Sequence, residues 1–214
     1  MRPRLLALIT LALFLLVPTS VLACACCSNE GDYYRALGKI ESFQLELMKE
    51  MRFGDQALLY TSEFDIEDVS KGISNPKYTY ALTASLVNNV WKLIFRDGSN
   101  SGVLSLPLPL RMEIFTADIF DGQQSPGGGP LLYKEWRFEG RLAGTGIFKP
   151  GNFVDTRYSL ILQGRGNACH NSGDFKTWRL EVKGKKAGYA FYGQMRQSKQ
   201  ASAPVSKDVV QFGK

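Results

Sequence analysis

Tyr78-Thr79-Tyr80-Ala81-Leu82-Thr83-Ala84-Ser85-Leu86-Val87-Asn88-Asn89-Val90-Trp91-Lys92-Leu93-Ile94-Phe95-Arg96-Asp97-Gly98 decides the fold class. Tyr78, Tyr80, Leu82, Ala84 and Leu86 alternate with Lys77, Thr79, Ala81, Thr83 and Ser85. Side chains in an extended chain point to opposite faces in turn, so this period of two marks a strand buried on one side. Asn88-Asn89 then offers a turn, and Trp91, Leu93 and Phe95 resume the stripe against Lys92, Ile94 and Arg96. Asp97-Gly98-Ser99-Asn100-Ser101-Gly102 is a second turn cluster.

The same period continues outward from this hairpin. Leu104, Leu106, Leu108 and Leu110 share a face, with Pro107 and Pro109 on the other. Neither proline can donate to a ladder, so the segment is expected at an edge or bending out of the sheet. Trp136 and Phe138 oppose Arg137, Glu139 and Arg141, and Tyr158, Leu160 and Leu162 form another stripe. Trp178, Leu180 and Val182 oppose Arg179, Glu181 and Lys183 before a Gly184–Gly188 turn. About eight or nine strands with one apolar face each predict an all-β protein, a mainly antiparallel β-sandwich or closed barrel. Residues 41–53 read either way. Ile40, Phe43, Leu47 and Met51 make a helical stripe, while Phe43, Leu45, Leu47, Met51 and Phe53 alternate as a strand would. The fold class therefore allows one short N-terminal helix, with Ser28, Asn29, Glu30 and Asp32 as capping or turn residues.

The chain has 214 residues, 44% hydrophobic and 21% charged, with net charge +6. That excludes disordered, collagenous and disulfide-dense miniprotein classes and leaves room for one core. The sequence divides into an export segment over 1–23, a Cys-rich segment over 24–41, one β-rich domain over 42–196 and a polar tail over 197–214. Arg2 and Arg4 precede an uncharged apolar run from Leu5 to Val17, then Pro18, Thr19 and Ser20, the layout of a secretory signal peptide. Without residues 1–23 the chain keeps 24 basic against 20 acidic residues, a net +4.

Val21-Leu22-Ala23-Cys24 resembles a bacterial lipobox, which implies that the Cys24 thiol carries lipid and that the membrane is a partner. An exported periplasmic or membrane-anchored envelope protein is expected, with an envelope component or a small ligand as its other partner. Nucleic acid is not expected at +4 outside the cytosol.

Cys24, Cys26, Cys27 and Cys169 are the only cysteines. Disulfides persist outside the cytosol, so Cys26 or Cys27 joined to Cys169 is the simple reading. The sharper one is a soft-metal site, copper or zinc, held by Cys26, Cys27, Cys169 and His170, which is the single histidine. The loop Gly164–Asp174 is the densest polar group, and Asn167, His170, Asn171 and Asp174 are its candidate ligand residues. Its Gly-x-Gly lacks the third glycine of a dinucleotide fingerprint.

No catalytic set assembles. There is no Gly-x-Ser-x-Gly elbow. Glu135 and Glu139 would lie about 13–14 Å apart along a strand, too wide for a glycosidase pair. A non-catalytic binding or structural module is the first expectation, soft-metal binding the second, and a hydrolase on a β-sandwich scaffold the third.

Overall fold

A computed structural model describes residues 31–119, 121–125 and 129–196. Among them are twelve strands and one α-helix. The chain opens with β1 (Tyr33–Lys39), helix α1 (Ser42–Glu50), β2 (Arg52–Phe53) and β3 (Gln56–Leu59). Then come β4 (Thr79–Val87), β5 (Val90–Asp97), β6 (Asn100–Pro107) and β7 (Arg111–Ala117). The rest are β8 (Leu132–Arg141), β9 (Ala143–Gly146), β10 (Arg157–Gly166), β11 (Phe175–Gly184) and β12 (Ala187–Arg196). All-β architecture with one short helix is as expected, but eight or nine strands was too few.

The extra strands have physical reasons to escape a periodicity reading. β1 is exposed along most of its length, so no apolar alternation marks it. β2 and β3 are only two and four residues long. The Leu104–Leu110 stripe is split, as its prolines foretold, into the end of β6 and a bend before β7.

All ladders are antiparallel, in the order β1-β7-β8-β10-β11-β12-β3-β4-β5-β6-β9, with β2 on β12. That path is open at β1 and β9. However, only Leu142 separates β8 from β9, so residues 132–146 form one bent run. Its β8 part pairs with β10 and its β9 part with β6, which brings the ladders round into a ring. The register shows the same bend. Ser105 faces Ala143 and Glu113 faces Arg137, so eight positions on the β6–β7 run oppose six on the other. The surplus falls at the proline segment. Tyr158 fills the loosened seam and donates its hydroxyl hydrogen bond to the Pro107 carbonyl. A Cβ on Gly140 would stand 2.9 Å from the Tyr158 ring, so a glycine is needed there.

The inward faces pack into one core. Trp91, Trp136 and Trp178 are among its largest fully buried side chains, as their register with Leu, Phe and Val implied. Phe95, Phe148, Tyr189 and Phe191 add a second aromatic group, with ring centroids 4.7–6.0 Å apart. The Asn88-Asn89 turn is real: both residues have positive φ, 51° and 58°, as a tight two-residue hairpin requires.

Residues 42–50 resolve as helix. Gln44 accepts from the Glu41 backbone N–H at 2.8 Å, half of a capping box. Gln44 and Met48, four apart, are the buried helix residues, so the buried stripe lies one position round from the expected one. Phe43, placed in that stripe by its sequence, is half exposed.

Candidate functional site

Two polar groupings stand out, one where loop 167–174 closes the end of the ring and one on its outer wall. β8 runs inward with Leu132, Lys134, Trp136 and Phe138, all buried. Lys134 is thus a cation on a core face, its side chain 3% exposed. Its ammonium donates to the Asp174 carboxylate at 2.5 Å and to the Cys169 carbonyl. Such a charge is tolerable in the interior only when paired and hydrogen-bonded.

The loop is built around that contact. Asn167 accepts from the Cys169 N–H at 3.0 Å, and Asn171 accepts from the Gly173 N–H at 2.9 Å. A Cβ on Gly166 would stand 2.2 Å from the Asp174 carboxyl. The Gly-x-Gly of the sequence therefore makes room for this ion pair rather than for a phosphate. His170 lies between the rings of Phe43 and Trp136, at 5.6 and 5.8 Å. Burial pushes its pKa down and Lys134 pushes the same way, with Asp174 opposing. The imidazole is therefore neutral near pH 7.

Asn167, Cys169, His170, Asn171 and Asp174 do come together, with Lys134 and α1 as neighbours that periodicity alone did not assign. They form a fastening more than a pocket. Ser172 donates to Glu50 of α1 at 2.8 Å, tying loop to helix. Cys169 brings its backbone carbonyl to the Lys134 contact. Cys24, Cys26 and Cys27 lie outside the described residues. Among the described residues, no three His, Cys, Asp or Glu side chains gather as a metal-binding group.

The outer wall differs. A cavity of about 620 Å³ lies over β8, β10 and β11, lined by Arg137, Glu139, Arg157, Ser159, Glu181 and Lys183 among others. Register arranges these side chains in rows. Arg157 stands directly opposite both Arg141 and Lys183. One row along, Ser159 stands between Glu139 and Glu181, and in the next Ile161 stands between Arg137 and Arg179. Glu181 accepts ion pairs from Arg179 at 2.6 Å and Lys183 at 2.7 Å, and Arg137 pairs with Glu135 at 2.9 Å. The Lys183 hydrogen bond, aided by Arg179 and Arg137, holds the Glu181 carboxyl below its ordinary range.

Glu139 and Glu181 are the two carboxylates from separate strands that a hydrolase reading would want. Glu181, held ionised by its cations, can serve such a pair as its base or nucleophile and not as its acid. A smaller cavity of about 280 Å³ adjoins the first beyond Glu181 and Lys183. There the Arg179 guanidinium sits 5.3 Å from the Tyr60 ring centroid.

No protein family, curated protein or solved structure matches this chain.

Sequence reasoning located the loop residues because they are contiguous. It missed the outer site because Arg141, Arg157 and Lys183 are scattered in sequence, and only strand register sets them side by side.

Proposed function

We propose that the chain is an exported, non-catalytic binding module of the bacterial envelope that meets its ligand on the outer wall of β8, β10 and β11. One observation carries this reading: the ring interior is filled by large aromatic side chains, while the larger described cavity lies outside on charged strands. A small-molecule carrier that binds inside its barrel needs the opposite arrangement. Export is supported by the cationic start and the uncharged apolar run at residues 5–17.

Lipid on Cys24 would hold the module at a membrane, and a bond from Cys26 or Cys27 to Cys169 would tie that start to the loop beside α1. Such a bond closes a loop of about 140 residues and would stabilise the fold by roughly 4–5 kcal/mol in the chain-entropy account.

Cell fractionation with intact-mass analysis tests the reading. The expected product lacks residues 1–23, is found outside the cytosol and carries added acyl mass on Cys24. A cytosolic chain with residues 1–23 intact sinks it.

A further inference from the structure

The row Arg141–Arg157–Lys183 is the least explained charge arrangement in the molecule. Residues directly opposite on antiparallel strands have Cα atoms about 4.5–5.5 Å apart, and like charges so placed destabilise the sheet. Here three cations stand side by side across three strands. Lys183 leans on Glu181, which Arg179 already shares. None of the ion pairs above involves Arg157 or Arg141; both residues are exposed, Arg157 lines the cavity, and Arg141 stands next to it in register.

We propose that this groove is an oxyanion site, taking one phosphate-type group, free or carried on an anionic lipid headgroup, at Arg157 between Arg141 and Lys183. This names the ligand class for the outer-wall reading and rests on it. Planar guanidinium forks match the paired oxygens of a phosphate, so two arginines and a lysine form a charge-complementary cradle. A bound anion also removes the repulsion within the row. Ser159, central in the neighbouring row, can donate its hydroxyl into the same cavity.

Glu139 and Glu181 flank Ser159 and limit what else can enter. An extended polyanion lying along the strands would cross these carboxylates, so a compact head is selected over a nucleic acid or a sulfated glycan chain. The wall lies outside the ring and opens to solvent, so either a free ion or a headgroup at a membrane surface can reach it.

The test uses the purified full chain. Inorganic phosphate is titrated against chloride at matched ionic strength, and phosphatidylglycerol vesicles are compared with phosphatidylcholine vesicles by co-sedimentation. We expect phosphate to raise Tm above the chloride value, or the anionic vesicles to be bound in preference, and R157Q to weaken that response about tenfold or more. K183Q removes a side chain that is 80% exposed and whose ion pair with Glu181 is a surface one of small weight in folding, so it reports on the site even where R157Q misfolds. It should weaken binding several-fold. A response to phosphate indicates a free ion and a response to vesicles alone indicates a headgroup; both support the site. No preference for either probe, or binding unchanged in R157Q and K183Q, overturns it. That result would leave export standing, and a failure of export would not alter the affinities that the titration yields.

Discussion

Lys134 and Arg157 sit on neighbouring strands of one sheet and meet opposite fates. Lys134 points into the ring and is matched by Asp174 and a carbonyl, with almost no exposure. Arg157 points out, faces two more cations, and has no such partner among the described residues. An interior charge must find its counter-charge within the fold, because desolvation leaves no alternative. A surface charge is relieved by water and salt, so a surplus can be kept there for a ligand. The first arrangement serves stability and the second is free to serve binding.

The largest effect should come from breaking the interior pair. Lys134→Ala leaves Asp174 and the Cys169 carbonyl without their donor, and should cost roughly 3–5 kcal/mol in urea unfolding. Lys134→Met combined with Asp174→Leu should recover most of that loss, since replacing both partners removes the orphaned charge. A double variant as unstable as the single would show that the pair is not what the loop depends on.

Gly166→Ala probes the same contact from the backbone. Its new methyl would stand 2.2 Å from the Asp174 carboxyl, and a loss of about 1–3 kcal/mol is expected. Tyr158→Phe acts at the seam between the two regions, removing the bond to the Pro107 carbonyl from a largely buried hydroxyl. About 1 kcal/mol should be lost on denaturant titration, and no change would mean that the ladders alone close the ring.

His170 gives a pH signature. Its folded pKa lies below the ordinary histidine value, for burial and Lys134 together outweigh Asp174. The unfolded chain therefore takes up this proton first. The stability tied to a neutral His170 is whole above about pH 6.5 and is lost as pH falls through that value toward the lower folded one. His170→Gln should flatten stability over that interval, and an unchanged profile would remove the histidine from the account.

The smallest stability effect belongs to Arg157→Gln. In phosphate-free buffer it should leave Tm unchanged or slightly raised, because a like-charge contact is removed. A marked drop would mean that Arg157 has a structural partner, and the contrast with Lys134 would fail.

Much of this was legible beforehand. The alternation at 78–97 marked a hairpin, Asn88-Asn89 its turn, and the three tryptophans their place in the core. Lys134 could have been read as inward too, since it is in phase with Leu132, Trp136 and Phe138. A polar residue at a core position is the usual sign of a buried network. β1 left no such trace, with Tyr33 74% and Leu37 58% exposed.

By itself the sequence determined the strand periods, the turn positions, the proline bend and the gathering of loop 164–174. Each depends on residues within a few positions of one another, where backbone geometry alone decides which side chains share a face. Ring closure through the β8–β9 run, the pairing of Lys134 with Asp174, and the alignment of Arg141, Arg157 and Lys183 were decided only by tertiary structure. These depend on which strand lies beside which and in what register. A one-residue slip would turn an entire strand's side chains to the other face, so that choice is made by the packing of the whole core.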